Sequence, residues 1–239
     1  MKDYQVSFFS YAGRKGSNQD SLLFEKFDDG VTLLAIADGM GGHVGGKIAS
    51  ELALETVKNE LTLNSKADLV QVFEQVQKSF MRKVKEDPEL NKMGSTLTVC
   101  VISGTRASVV HVGDTRLYHL RDRGIVSRTK DQTELQQLID QGVVSKARAK
   151  NYHRKNILLS VMSAYRDYEL QIGSFDLLNG DRLVLLSDGA YSLLAKSEIR
   201  DLSLQNRNVN TFADSLKFLI ESRDIKDDYS VLAFEFSDL

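Results

Sequence analysis

VTLLAIADGMGGHVGG, residues Val31 to Gly46, sets the frame for the rest of the chain. The apolar run Val31 to Ala37 reads as a buried strand, expected to stop at Asp38. Asp38 opens the polar, glycine-rich set Asp38, Gly39, Met40, Gly41, Gly42, His43. A carboxylate at the end of a core strand is held rigidly and faces the loops. Glycines beside it let main-chain carbonyls or N–H groups come close to a bound ion or anion. The stretch therefore suits a metal or phosphate site. Standing alone, it also reads as a tight turn with Asp38 capping a helix.

Working outward, Tyr4 to Ser10 and Ser21 to Lys26 have strand composition on either side of a polar loop. From His43 to Leu63 the period changes: Ile48, Leu52, Leu54, Val57 and Leu61 mark a helical apolar face, and Ala67 to Lys85 repeats the pattern. Strands resume at Thr96 to Ser103, Arg106 to Val112 and Thr115 to Leu120, separated by turns too short for a crossover helix, so antiparallel pairing is expected. Glu134 to Gly142 and Lys146 to Lys155 read as polar helices on a surface excursion. Glu169 to Phe175 and Asp181 to Leu186 read as strands around Asn179-Gly180. Two helices (Ser197 to Leu202, Asn210 to Arg223) and a strand (Tyr229 to Phe236) complete the chain. Strands in runs, with helices clustered between them, indicate an α+β fold over a doubly wound parallel sheet.

The 239 residues carry 42% hydrophobic and 27% charged side chains, ordinary for a globular protein with a substantial core. A formal net charge of −2 gives no basic field for nucleic acid or an anionic membrane. The single Cys100 excludes an internal disulfide and multi-cysteine metal sites, and inside a strand run it reads as a small buried apolar residue. No apolar run is long enough to span a bilayer, and residues 1–13 lack a signal-peptide core. A cytoplasmic protein is the expectation. One proline and no biased linker favour a single domain over residues 1–239.

Four acidic positions share the placing of Asp38. Asp114 follows VVHVG, Asp188 follows RLVLLS, and Asp227 with Asp228 precedes YSVLAFEF; Asp20 adds a fifth point before the second strand. Folding could gather them at one rim, where like charges would repel unless cations resolved them. An oxygen-only donor set points to hard Mg²⁺ or Mn²⁺ over zinc. Two such ions about 3.5–4 Å apart acidify a water and polarise a phosphoryl oxygen. Each aspartate taken singly also reads as a turn or cap residue, and the Asp-Gly pairs at 38–39 and 188–189 as hairpin turns.

NQD (18–20), ADGMGGH (37–43), GSTLT (94–98), HVGDTR (111–116), DQT (131–133), SDG (187–189) and DDYSV (227–231) occur in an order that resembles the metal-dependent type 2C serine/threonine protein phosphatases, in their compact bacterial form. The resemblance spans nearly the whole chain. It implies a four-layer αββα sandwich, two antiparallel β-sheets flanked by helix pairs, hydrolysing phosphoserine and phosphothreonine in proteins through a metal-bridging hydroxide. Asp38 would bridge two Mn²⁺ or Mg²⁺ ions, with the Gly39 carbonyl on one and Asp188 and Asp227 completing the set. Asp114 would serve a third, weaker ion. Asp20 and Gln19 would orient water behind the metals, and His43 would be the general acid for the departing alkoxide. The implied partners are phosphorylated proteins and a cognate serine/threonine kinase, with no nucleic acid or membrane; a monomer is expected.

Three positions depart from the family pattern. An arginine is common in the register of Lys15, so phosphate binding falls to Arg14 or Lys15 jointly, and lysine lacks arginine's bidentate fork. Gln19 stands where some members have Glu, and Asp228 where Asn is usual. About 130–163 resembles the family's flap, but HRKNILLSVMS (153–163) has no glycine after its leucines, which leaves the flap conformation open. A phosphatase for phosphorylated regulators is a second enzymatic reading. A silent binding module would be expected to have lost one of Asp38, Asp188 and Asp227. A nucleotide-binding module is disfavoured because GMGGHVGG lacks a Lys-Ser/Thr ending.

Overall fold

A computed structural model describes residues 5–14, 16–149 and 152–237. In chain order the elements are β1 (Gln5–Tyr11), β2 (Asp20–Lys26), β3 (Thr32–Met40), α1 (His43–Leu63), α2 (Leu69–Glu86), β4 (Gly94–Ser95) and β5 (Leu97–Ser103). Then follow β6 (Arg106–Val112), β7 (Arg116–Arg121), β8 (Gly124–Ser127), α3 (Glu134–Asp140), α4 (Lys146–Ala149), β9 (Met162–Ser163) and β10 (Gln171–Asp176). Last come β11 (Arg182–Leu186), α5 (Asp188–Tyr191), α6 (Lys196–Gln205), α7 (Val209–Glu221) and β12 (Tyr229–Glu235).

Every strand pairing among the described residues is antiparallel, in two sheets. One has five strands in the order β1-β12-β11-β7-β8. The other has seven, β10-β6-β5-β3-β4-β9, with β2 along the free side of β3. Period-two alternation along β3 builds the layers. Leu33, Ala35 and Ala37 pack under α1 and α2, while Leu34 and Ile36 face the other sheet beside Cys100, Leu183, Leu185, Leu232 and Phe234. On β12 the odd positions Tyr229, Val231 and Ala233 pack under α6 and α7, and the even ones face inward. The αββα sandwich follows. Each fully buried aliphatic side chain in these rows contributes about 1.5–3 kcal/mol, and a one-residue slip would exchange the faces, so register is strongly fixed. Cys100 lies in the inter-sheet layer, and burial pushes its thiol up to about 12, as an inert core residue requires.

The structure corrects the sequence reading in places. Strand β3 does not stop at Asp38; it continues through Gly39 and Met40, which pair with Ser95 and Gly94 of β4. The segment expected to be helical over Lys146 to Lys155 is helical over Lys146–Ala149 among the described residues, and residues 153–156 form turns. Strands β4, β8 and β9 and the one-turn helix α5 were not anticipated. Helix α2 starts at Leu69 because Asp68 caps it, its carboxylate accepting from the Val70 amide.

Candidate metal centre and substrate groove

Parity along the strands aims the acids. Asp38 continues the inward row of Leu34 and Ile36, and Asp20 continues that of Leu22 and Phe24. The two stand directly opposite each other across β2 and β3. Asp228 shares the parity of Ser230, Leu232 and Phe234 on β12, with Asp227 beside it, while Asp188 starts α5 straight after β11. Asp114 lies in the turn between β6 and β7 and is 4% exposed. The rim between the sheets thus gathers acids from five separate parts of the chain.

Main-chain contact fixes their positions. The Asp38 amide donates to Thr96 Oγ1 at 2.9 Å, and its carbonyl accepts from the Thr96 amide at 2.9 Å and from Ser95 Oγ at 3.0 Å. A Cβ on Gly39 would stand 1.9 Å from the Gly46 carbonyl oxygen of α1, and one on Gly189 would stand 2.0 Å from that of Asp228. Neither glycine has positive φ, so the two Asp-Gly pairs are close-approach points and not hairpin turns. Asp228, the departure from Asn, accepts from the amides of Gly13 at 2.8 Å and Gln19 at 2.9 Å and ties the β1–β2 loop to the rim. Gln19 is buried, and its carbonyl accepts from the Gly39 amide at 3.1 Å.

Electrostatics mark the rim as a cation site. Burial first, and then the charges of Asp20, Asp188, Asp114 and Asp227, hold the Asp38 carboxyl well above its ordinary range. Burial raises Asp20 to about 7; Asp188 and Asp228 add to this, and the nearby Ser187 and Ser230 hydroxyls oppose it. Neither hydroxyl reaches hydrogen-bonding geometry, so both Asp20 carboxylate oxygens are buried without a hydrogen-bond partner. Burial, with Asp188 and Asp131, likewise takes Asp114 to about 7. No three His, Cys, Asp or Glu side chains among the described residues close into a ready-made cage. The fit to hard divalent cations rests instead on an all-oxygen set sharing one repulsive field, with an orphaned carboxylate inside it.

Several groups here carried no assigned role in the sequence reading. Arg116 makes a bidentate pair with Asp131 (2.9 and 2.6 Å), and its guanidinium lies 3.6 Å over the Tyr191 ring. The Tyr191 hydroxyl donates to Asp114 Oδ2 at 2.9 Å. The motif segments around Arg116 and Asp131 were visible in sequence; nothing signalled Tyr191. Asn156 Nδ2 lies 3.5 Å from Asp188 Oδ2, bringing the expected flap onto the rim. Arg14 pairs with Asp224, which lines the same cavity of about 740 Å³ as Asp188, Gly189 and Asp227. Lys15 lies outside the described residues, as does the side chain of His43, whose backbone begins α1.

A histidine beneath the rim gives a pH signature. His111 is fully buried between the sheets, with Nδ1 2.8 Å from Thr98 Oγ1 and Nε2 3.0 Å from the Gly113 carbonyl. Burial pulls its pKa down to about 4, so it is neutral in the folded protein while the unfolded chain takes up a proton below about 6.5. Its stabilising contribution is therefore complete above about 6.5 and lost as pH falls towards 4, roughly 3 kcal/mol in all. The stability gap between wild type and His111→Asn, measured by urea unfolding, is expected to narrow between pH 7 and pH 4.5. A constant gap would refute the buried neutral state.

Comparison with known proteins agrees with this geometry. The profile of the protein phosphatase 2C family matches residues 10–228. The serine/threonine phosphatase Stp of Listeria welshimeri is 28% identical over 226 residues, covering 91% of this chain and 90% of that protein. The S. agalactiae serine/threonine phosphatase superposes with a TM-score of 0.88 at 26% identity, over 98% of this chain and 100% of that one. The catalytic domain of the serine/threonine protein phosphatase PstP, solved in complex with two manganese ions, superposes with a TM-score of 0.84 at 28% identity, over 98% and 99%. A family match extending from β1 to the aspartate pair before β12 takes in every acidic segment of the rim, and the chain belongs to the protein phosphatase 2C family.

Proposed function

We propose that the acidic rim hydrolyses phosphoserine and phosphothreonine in proteins with two Mn²⁺ or Mg²⁺ ions held by Asp38, Asp188 and Asp227. The observation that carries this reading is the burial of Asp38 among four other carboxylates, an arrangement that stays ionised at neutral pH only with cations to neutralise it. When bound, the ions supply an acidified water as nucleophile and polarise a phosphoryl oxygen. Asp38, with the Gly39 carbonyl beside it, would hold both ions. Asp114, its carboxylate oriented by the Tyr191 hydroxyl, would hold a third, weaker ion. Asp20 and Gln19, behind Asp38, orient water. The β1–β2 loop, anchored by Asp228, carries Arg14 and Lys15 for the phosphate. His43, at the start of α1, gives a proton to the leaving alkoxide.

The whole chain acts as one catalytic domain on phosphorylated proteins. A cognate serine/threonine kinase, a cytoplasmic setting and a monomeric state complete the proposal; a phosphomonoester substrate requires a kinase to make it, and the lone buried Cys100 suits a reducing compartment. No helix among the described residues is long and apolar enough to cross a membrane.

A phosphothreonine peptide is expected to be hydrolysed with Mn²⁺ and not after chelation. His43→Ala is expected to slow it by about 10²-fold while barely affecting an activated aryl phosphate, whose phenolate leaves without a proton. Activity that survives chelation rejects the metal mechanism, and equal losses on both substrates remove His43 from the acid role.

A further inference from the structure

The cavity of about 740 Å³ beside the rim is far larger than one phosphothreonine side chain, and its lining is mixed. Asp188 and Asp227 of the rim are part of it. Its other acids are already paired, Asp131 with Arg116 and Asp224 with Arg14. Alongside polar Thr133, Gln136, Ser192 and Lys226, the lining includes an apolar wall: Leu135 and Ile139, one turn apart on α3, with Leu193 from the segment after α5. All three are partly exposed, and Lys155 adds a cation to the same cavity.

This wall is preformed. Thr133 caps α3, its hydroxyl accepting from the Gln136 amide at 3.2 Å. The Glu134 amide donates to the Ile157 carbonyl at 2.9 Å, and that of Leu159 to the Gln132 carbonyl at 2.8 Å. Tyr152 and Arg154 both bond the Glu134 carboxylate at 2.7 Å. Helix α3 and the 152–159 turns are therefore tied to each other, with Asn156 reaching Asp188 at the rim. A fixed apolar surface continuous with a phosphate-cleaving centre discriminates between substrates by burying a side chain of theirs, at little ordering cost.

We propose that Leu135, Ile139 and Leu193 form a subsite for the phosphoprotein segment itself, selecting substrates with a large aliphatic or aromatic residue close to the phosphoserine or phosphothreonine. This rests on the phosphatase reading and adds to it the class of sequence preferred. Small phosphomonoesters do not reach the subsite, so they report the catalytic centre independently.

The test uses phosphothreonine peptides in an alanine background, with a single leucine walked through the positions on either side, and the Mn²⁺-loaded full chain. One position is expected to raise kcat/KM about tenfold over the all-alanine peptide, the worth of burying part of one aliphatic side chain. Ile139→Asn should bring that ratio close to one, Ile139→Val should keep it, and hydrolysis of p-nitrophenyl phosphate should stay unchanged in both, which also shows that they fold. Leu135→Gln gives a second, independent loss. A leucine ratio below about twofold at every position, or one that persists in both polar variants, overturns the subsite. Fluorescence anisotropy of the same peptides on Asp38→Asn reads the preference without turnover, and equal affinities would overturn it too. Loss of p-nitrophenyl phosphate hydrolysis in wild type would sink the phosphatase reading instead, leaving the binding comparison to decide the subsite.

Discussion

Asp38→Asn is expected to lower hydrolysis of a phosphothreonine peptide by about 10³-fold, equivalent to about 4 kcal/mol of lost transition-state stabilisation, since on the proposed reading this carboxylate would hold both ions. The same change is expected to stabilise the protein in chelator. Asp38 keeps its proton in the folded state to a pH well above its unfolded value, so above about 4 the folded form binds more protons than the unfolded, and stability falls as pH rises. Asparagine removes that dependence. In EDTA the variant's melting temperature should exceed that of wild type, more at pH 8 than at pH 5; adding Mn²⁺ should reverse the order, because ligand binding to the native state stabilises wild type. A variant less stable than wild type in EDTA at pH 8 would show that Asp38 is a structural anchor and not a charge held for cations.

Gly39→Ala is expected to cost roughly 3 kcal/mol or more, a fall of about 6–12 °C in melting temperature. The added methyl would meet the Gly46 carbonyl oxygen at 1.9 Å and carbon at 2.4 Å on one side and the Gln19 carbonyl oxygen at 3.0 Å on another. All three are main-chain atoms, which cannot rotate aside. Helix α1 must slide from β3, and Asp38 shifts with it, so activity should fall together with stability. Gly173→Ala in β10, with no atom within 4 Å of the added carbon, is the control and should stay within about 0.5 kcal/mol of wild type. Equal effects at the two glycines would mean that the tight contact is not real.

Sequence exposed the long apolar elements because each repeats its period over several residues. Leu33 to Ala37 alternate between two hydrophobic layers, and Val72, Phe73, Val76 and Phe80 line one stripe of α2. Strands β4 and β9, two residues each, join the sheet through backbone pairing, which leaves no side-chain pattern to read. The expected end of β3 at Asp38 failed for the same reason: Gly39 and Met40 are strand only because Ser95 and Gly94 lie beside them.

At the site, the five aspartates were legible because each follows or starts a recognisable strand. The bonds from Tyr191 to Asp114 and from Asn156 to Asp188 were not, since they join positions 77 and 32 residues apart with no local pattern. Arg14 was read as a phosphate ligand from its neighbourhood in the chain; its ion pair with Asp224 needed the tertiary fold.

The glycine contacts bear on how freely this architecture can diverge. Gly39 against Gly46, and Gly189 against Asp228, set the distances between acid-bearing segments by peptide resting on peptide, with no intervening side chain to act as spacer. Hydrophobic residues in the outer layers can then be exchanged over long evolutionary times without retuning the centre. A library randomising α2 and α7 should yield many altered interiors with undiminished turnover, and one randomising those few contact glycines almost none.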